Sequence, residues 1–249
     1  MLAGKGTATN YMYNGLKDDF EILKVVVEEP VARKRFIKRR IKNLGIWKVF
    51  GQLLFQAGYA PFLGKFSKNR IQEIIAQAGL SDQEIPSSKI LAVNSINAKA
   101  SLELLQELQP DILIVQGTRI ISKKILNSVD GVFINTHAGI TPKYRGVHGG
   151  YWAMANQDPE HCGVTVHLVD PGIDTGGILF QDTITVTKKD NFATYTFLQA
   201  AVGINLMKKA LTAASKDTLG TIQGPKESKL YYHPTIWKYL YLRIFKGVK

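Results

Sequence analysis

The sequence holds a single cysteine, Cys162, and that scarcity excludes two classes at once. No intrachain disulfide can form, and a cysteine-rich zinc site is ruled out. Such usage suits a reducing compartment. Long apolar runs are missing too, since no stretch approaches the roughly 20 residues that a membrane span needs. Residues Met1 to Asn10 carry nothing resembling a secretory signal. There is no internal repeat and no low-complexity linker. Together these absences predict a cytoplasmic protein. Acidic residues are also scarce, 20 against 32 Lys and Arg, for a formal net charge of +12. An excess of that size favours anionic partners, whether phosphorylated small molecules, nucleic acid or a membrane surface, without choosing among them. What is plentiful is apolar: 45% of the 249 residues are hydrophobic, enough for a sizeable core and against wholesale disorder.

The pattern along the chain alternates strand with helix. Glu21 to Val27 reads as a strand, as do Lys89 to Val93, Asp111 to Val115, Val132 to Asn135, Gly163 to Val169 and Ile178 to Val186. Ala98 to Leu108, Gly149 to Asn156 and Ala193 to Ala214 read as helices. Residues 31–58 differ in character. Arg33, Lys34, Arg35, Lys38, Arg39, Arg40 and Lys42 surround Ile37, Ile41 and Leu44 at helical spacing, so one or two amphipathic helices are expected. Within residues 33–42, Ile37 and Ile41 should face inward. The fold class that follows is α/β, a mostly parallel, Rossmann-like sheet with helices on both faces. In such sheets ligands bind beyond the carboxyl ends of the strands.

Polar residues gather at those ends. Ile134-Asn135-Thr136-His137 leaves a buried strand with two polar side chains at i and i+2, on one face of extended chain. An Asn amide can stabilise an oxyanion, and a His is the usual acid–base group near neutral pH. Thr141-Pro142-Lys143-Tyr144-Arg145-Gly146 follows as a loop. Later comes Val169-Asp170-Pro171-Gly172-Ile173-Asp174-Thr175-Gly176, a glycine-rich turn with two carboxylates. A carboxylate beside an imidazole orients it and raises its pKa. Singly, each piece is weak: a His near a strand end is more often structural, and an Asp in a glycine turn usually just forms the turn.

In combination, the motifs Asn135-Thr136-His137, Pro142-Lys143-Tyr144-Arg145-Gly146, Gly163-Val164-Thr165 and Ile173-Asp174-Thr175-Gly176 resemble those of one family. It is the formyltransferase family that includes glycinamide ribonucleotide transformylase and methionyl-tRNA formyltransferase. The resemblance covers about Asp111 to Gln181 and extends more loosely back to Met1. It implies a transferase with N10-formyltetrahydrofolate as co-substrate and no metal. It also implies that Asn135, His137 and Asp174 are catalytic, with Asn135 and His137 on the formyl oxygen and Asp174 assisting proton removal. The folate contacts implied are Thr118, Arg119, Ile121, Val169 and Pro171. On this reading residues 1–214 form the catalytic domain, with a basic helical insertion at about 31–65, and residues 215–249 are a C-terminal extension.

The resemblance thins at Gly4-Lys5-Gly6-Thr7-Ala8-Thr9, where the purine-pathway members carry a phosphate-gripping loop with a Ser-Asn pair. Lys5 and Thr7 could still meet a phosphate at a helix N-terminus. The expected acceptor is therefore a small phosphorylated amine, an amino-sugar nucleotide before others, with nucleic acid not favoured. Helix 33–42 offers a possible membrane-surface contact. A formyltetrahydrofolate hydrolase, with water as acceptor, is one alternative. A non-catalytic nucleic-acid or membrane-surface binder is the other, although the intact Asn135, His137 and Asp174 weigh against it.

Overall fold

Runs such as Val25-Val26-Val27 and Ile112-Leu113-Ile114-Val115 are apolar at consecutive positions, a pattern that suits a strand covered on both faces. Both lie inside a seven-stranded sheet. The computed structural model of the chain describes residues 1–249, the side chain of Arg35 excepted. It begins β1 (Leu2–Gly4), α1 (Thr7–Leu16), β2 (Val25–Glu28). Four helices follow in succession: α2 (Arg33–Leu44), α3 (Ile46–Leu54), α4 (Ala60–Phe66) and α5 (Lys68–Ala78). Then come β3 (Ile90–Val93), α6 (Lys99–Leu108), β4 (Ile112–Gln116), α7 (Lys123–Leu126), β5 (Val132–His137), β6 (Arg145–Gly146) and α8 (Gly149–Ala155). The chain closes with β7 (Gly163–Leu168), β8 (Ile178–Thr183), α9 (Phe192–Ser215), β9 (Leu230–Tyr231) and α10 (Ile236–Lys246).

The sheet order is β3-β2-β1-β4-β5-β7-β8. The first five strands are parallel, β7 runs antiparallel to β5, and β8 reverses again beside β7. Strands β6 and β9 form a separate parallel pair. Alternation along each strand splits the core between the two faces. Ala3, Ile114 and Ile134 pack with Leu16 of α1 and Met207 and Leu211 of α9. Their neighbours Leu2, Leu113 and Phe133 pack with Leu105 of α6 and Ile125 of α7. A third cluster, rich in aromatics, joins Phe55, Tyr144, Tyr151, Tyr195 and Tyr239.

Several sequence expectations need correction. The strand expected at Glu21 begins only at Val25, because its neighbours β1 and β3 offer three and four residues to pair with. The strand expected to reach Val186 ends at Thr183, where its ladder partner Gly163 begins β7. Residues 33–42 are helical, but Ile41 is exposed and Ile37 only half-buried. Helix α2 has α3 as its main packing partner, so no core lies against that face. Helices α3 and α4 are joined by a π turn over Phe55–Tyr59, which makes residues 46–66 one continuous helical rod.

Two polar contacts tie the last part of the four-helix segment to the start of α9. Arg70 of α5 meets Asp190 with two bonds, Nε to Oδ1 at 2.8 Å and a terminal nitrogen to Oδ2 at 3.1 Å. Asn191, the N-cap of α9, donates to Ser67 Oγ at 2.8 Å. Burial opposes charge on Asp190, but Arg70 and the Thr187 hydroxyl and N–H hold its pKa below the usual carboxylate range. A depressed carboxylate adds stability that is full above the unfolded value and lost as pH falls through the folded one. Arg70→Ala leaves Asp190 buried without its cation, at a cost of about 3 kcal/mol in urea unfolding at neutral pH. The variant's deficit should shrink below about pH 4, as Asp190 protonates in both states. A deficit that is constant from pH 7 down to pH 3 contradicts this account.

Candidate active site

From β1 the chain moves outward to β2 and β3, then returns to the other side of β1 as β4. That reversal opens a crevice at the carboxyl ends of the strands, where ligands bind in open α/β sheets. A cavity of about 490 Å³ lies there. Its walls come from the loop after β4, from Asn135 and His137 of β5, from His167 of β7, from the turn holding Asp174, and from Tyr231 and Tyr232 of the tail.

The two imidazoles are fixed by carbonyls. His137 Nε2 lies 2.8 Å from the Tyr144 carbonyl. A carbonyl only accepts, so Nε2 carries the hydrogen and neutral His137 leaves Nδ1 bare. That bare nitrogen is 3.4 Å from Asp174 Oδ2. In the same way His167 Nδ1 donates to the Leu168 carbonyl at 2.6 Å, and its Nε2 accepts from Asn135 Nδ2 at 3.1 Å. Asn135 and His167 are direct antiparallel partners in the ladder, which brings the two side chains together. Asp174 Oδ2 accepts the Gly146 N–H at 2.9 Å, and Oδ1 stands 3.8 Å from His167 Nε2.

Burial lowers the pKa of His137, and the nearby Asp174 carboxylate offsets this only in part. For Asp174, burial works against ionisation, but His167, His137 and the Gly146 N–H outweigh it, so its pKa lies below the ordinary value. At pH 7 the pair is therefore neutral imidazole facing carboxylate, with no proton between Nδ1 and Oδ2. Two lone pairs confront one another, and a proton released nearby is drawn into the gap.

Each residue of the loop motif has a structural task in this arrangement. Lys143 Nζ and the Tyr144 hydroxyl both reach Asp158, at 2.8 and 2.7 Å. Arg145 donates to the Ile173 carbonyl at 3.1 Å, and Gly146 donates to Asp174. Thr165 Oγ donates to the Gly139 carbonyl at 2.8 Å and accepts the Thr141 N–H at 3.0 Å. A side chain at Gly139 would strike the Tyr144 carbonyl and the His137 ring, so glycine there permits the loop to fold back. Asp170 takes the turn-forming role, accepting from Gly172 N–H and the Thr175 hydroxyl. Asp174 is thereby free for the imidazoles, held at φ 51° at a cost of about 1 kcal/mol.

The Formyl transferase family model matches residues 67–211, more than half of the chain. The chain belongs to the formyl transferase family. It is 30% identical over 176 residues to the methionyl-tRNA formyltransferase of Caldanaerobacter subterraneus subsp. tengcongensis, covering 70% of this chain and 54% of that one. It thus spans about half the length of the curated relatives it matches. Among solved structures, an N-formyltransferase from Helicobacter canadensis in complex with folinic acid and dTDP-3-aminofucose superposes with a TM-score of 0.55. That pair is 19% identical, over 92% of this chain and 69% of the other. A formyltransferase from Anoxybacillus kamchatkensis, in complex with UDP-4,6-dideoxy-4-formamido-L-AltNAc and tetrahydrofolate, superposes with a TM-score of 0.50. It is 26% identical, over 63% of this chain and 80% of its own.

Of the other residues singled out in the sequence, Thr118, Arg119, Ile121 and Val169 line the cavity. Pro171 does not, and it is exposed. The Arg119 head is spent on structure, with Nε 2.7 Å from Glu28 and a terminal nitrogen 2.7 Å from the Glu29 carbonyl. Glu28 also accepts the backbone N–H of Arg119 and of Ile96, so it fastens the loop after β4 to the end of β2. Lys5 and Thr7 line a different cavity that contains Glu29 and Glu84, and Lys5 is paired with Glu29 at 3.1 Å. The grouping of metal-capable side chains among the described residues, Asp158, Glu160 and His161, lies outside the crevice, with Asp158 already engaged by Lys143.

If the His137–Asp174 pair takes up a proton during turnover, activity should fail on the acid side, where the pair is already protonated. Both pKa values are depressed, so the acid limb of kcat/KM should fall below the ordinary histidine value of about 6.5. A limb centred above pH 7 would contradict the tautomer and charge assigned to His137.

Proposed function

We propose that this formyltransferase moves a formyl group from N10-formyltetrahydrofolate to the amine of an amino-sugar nucleotide. The observation that carries the reading is the convergence of Asn135, His137, His167 and Asp174 on one crevice. The folate fits the residues present: Ile121 and Val169 give aliphatic walls for a flat ring. With the Arg119 head withdrawn, recognition of that ring rests on the backbone of residues 117–121 and 169–174. When bound, the folate supplies an activated formyl carbon.

The chain's own residues then act on charge and protons. Asn135 Nδ2 spends one N–H on His167 and keeps a second for the oxygen that gains negative charge, a contact worth roughly 3 kcal/mol of barrier. His137 Nδ1 and Asp174 Oδ2 receive the proton that the acceptor amine must shed. His137 Nε2 stays on the Tyr144 carbonyl throughout, so the ring does not turn as it charges. Tyr231 and Tyr232 give the mouth an aromatic wall suited to a nucleotide base. The sugar-nucleotide ligands of the Helicobacter and Anoxybacillus proteins support the same acceptor class.

Incubation with formyl-folate and a panel of amino-sugar nucleotides should give a product heavier by one formyl group. Formylation of methionyl-tRNA, with no sugar nucleotide modified, would overturn the acceptor assignment. Asn135→Ala and Asp174→Asn should each lower kcat at least about 10²-fold with little change in donor affinity, as for contacts made mainly in the transition state. The double variant should lose less than the product of the two. Near-normal kcat in Asp174→Asn, with circular dichroism unchanged, removes Asp174 from the mechanism.

A further inference from the structure

Positive charge in this chain is concentrated in one place. Residues 30–72 contain 11 of the 32 Lys and Arg and no Asp or Glu. The rest of the chain is close to balance, with 21 basic residues against 20 acidic. The same segment leaves its apolar side chains in solvent. Along the rod of residues 46–66, Ile46, Phe50, Leu54, Phe62 and Phe66 recur at multiples of four and are all exposed. Trp47, beside them, is 76% exposed. Spacing of four drifts around an ideal helix, and the π turn at Phe55–Tyr59 takes up one residue, which keeps the stripe on one side. On α2 the cations Lys34, Lys38 and Lys42 are exposed at the same spacing.

The tail extends this face. Helix α10 packs on α3, with the Trp237 ring resting on Gly51, where no larger residue fits without displacing it. Trp47, Lys48, Trp237 and Lys238 line one open groove, and that groove shares Tyr231 and Tyr232 with the active-site crevice. Along α10, Tyr241, Ile244 and Phe245 are exposed as well, beside Lys246. A buried link fixes the two parts together: Arg40 donates to Gln52 at 2.7 Å, and Gln52 donates to the His233 carbonyl at 2.7 Å.

We infer that this face docks the enzyme on an anionic lipid bilayer, with the α3–α4 stripe and Trp237 seated among the headgroups and the α2 cations beside them. Exposed aromatic and aliphatic side chains with flanking lysines are what an interfacial helix presents. No helix is long and apolar enough to cross a membrane among the described residues, so the contact is a surface one. A polyanion such as tRNA accounts for the cations but leaves the stripe in water. A second copy of this chain accounts for the stripe but sets one cationic segment against another, since a two-fold interface pairs like with like. Only the bilayer satisfies both.

The test is flotation with vesicles of phosphatidylcholine alone and of phosphatidylcholine with one part in three phosphatidylglycerol. The wild-type chain should float with the anionic vesicles, weakly with the neutral ones, and less as salt rises. Trp47→Ser with Phe50→Ser, and separately Lys34→Glu with Lys38→Glu, should each weaken anionic-vesicle binding at least about tenfold. All four positions are exposed, so circular dichroism should not change. If a double variant does not fold, the wild-type salt titration and a blue shift of tryptophan emission on vesicles decide the matter. Equal flotation on both vesicle types overturns the proposal, as does none on either. So does tight tRNA binding that ignores the Trp47 and Phe50 changes while vesicles go unbound. A wild-type dimer that the aromatic variant splits, without vesicle binding, assigns the face to a second copy instead.

Discussion

The bond from His137 Nε2 to the Tyr144 carbonyl, 2.8 Å long, is the contact on which the site depends. It decides which ring nitrogen is bare and turns that nitrogen toward Asp174. It forms only because residues 138–144 fold back on themselves, which Gly139 permits and Thr165 secures. Tyr144 is in turn anchored by its hydroxyl to Asp158, which also holds Lys143 and His161. Together these groups pull the Asp158 carboxyl down to about 2, despite its partial burial. The family motif from Pro142 to Gly146 is thus a positioning device. Its Lys143, Tyr144 and Arg145 side chains reach anchors of their own, and its backbone presents one carbonyl to His137 and one N–H to Asp174.

That division explains what the sequence could and could not reveal. Asn135, His137 and Asp174 were legible because their side chains meet the crevice and their spacing is fixed by one strand end and one turn. The parallel α/β architecture was legible from consecutive apolar positions in the strands. His167 was not: its value comes from lying opposite Asn135 in the ladder, and strand register is not written in either segment alone. The role of Asp170 as turn-former, with Asp174 left to face His137 and His167, rested on backbone angles that a sequence does not display. Arg119 was expected among the folate contacts because its segment matches a folate loop of the family, and it does line the crevice. Its guanidinium is engaged by the buried Glu28, 91 residues away, a partner that the sequence does not reveal.

The inward placement expected for Ile41 failed for a related reason. Helical periodicity says which side chains share a face, but not whether anything covers that face. Here the covering element is absent, and the apolar stripe continues along α3 and α4 beside a run of cations. The tail joins both worlds. Its β9 strand pairs with β6 next to Gly146, Tyr231 and Tyr232 wall the crevice, and α10 lies on α3. The crevice and the exposed face are therefore neighbours on one framework.

Resting His137 is a neutral imidazole with its hydrogen on Nε2, facing an ionised Asp174. Nitrogen-15 spectra of the histidine rings test it most directly, with His137→Gln used to assign the signals. His137 should show the Nε2–H tautomer at pH 7 and remain neutral as pH falls through about 6.5, the ordinary histidine value. An imidazolium at pH 7, or the Nδ1–H tautomer, would contradict it.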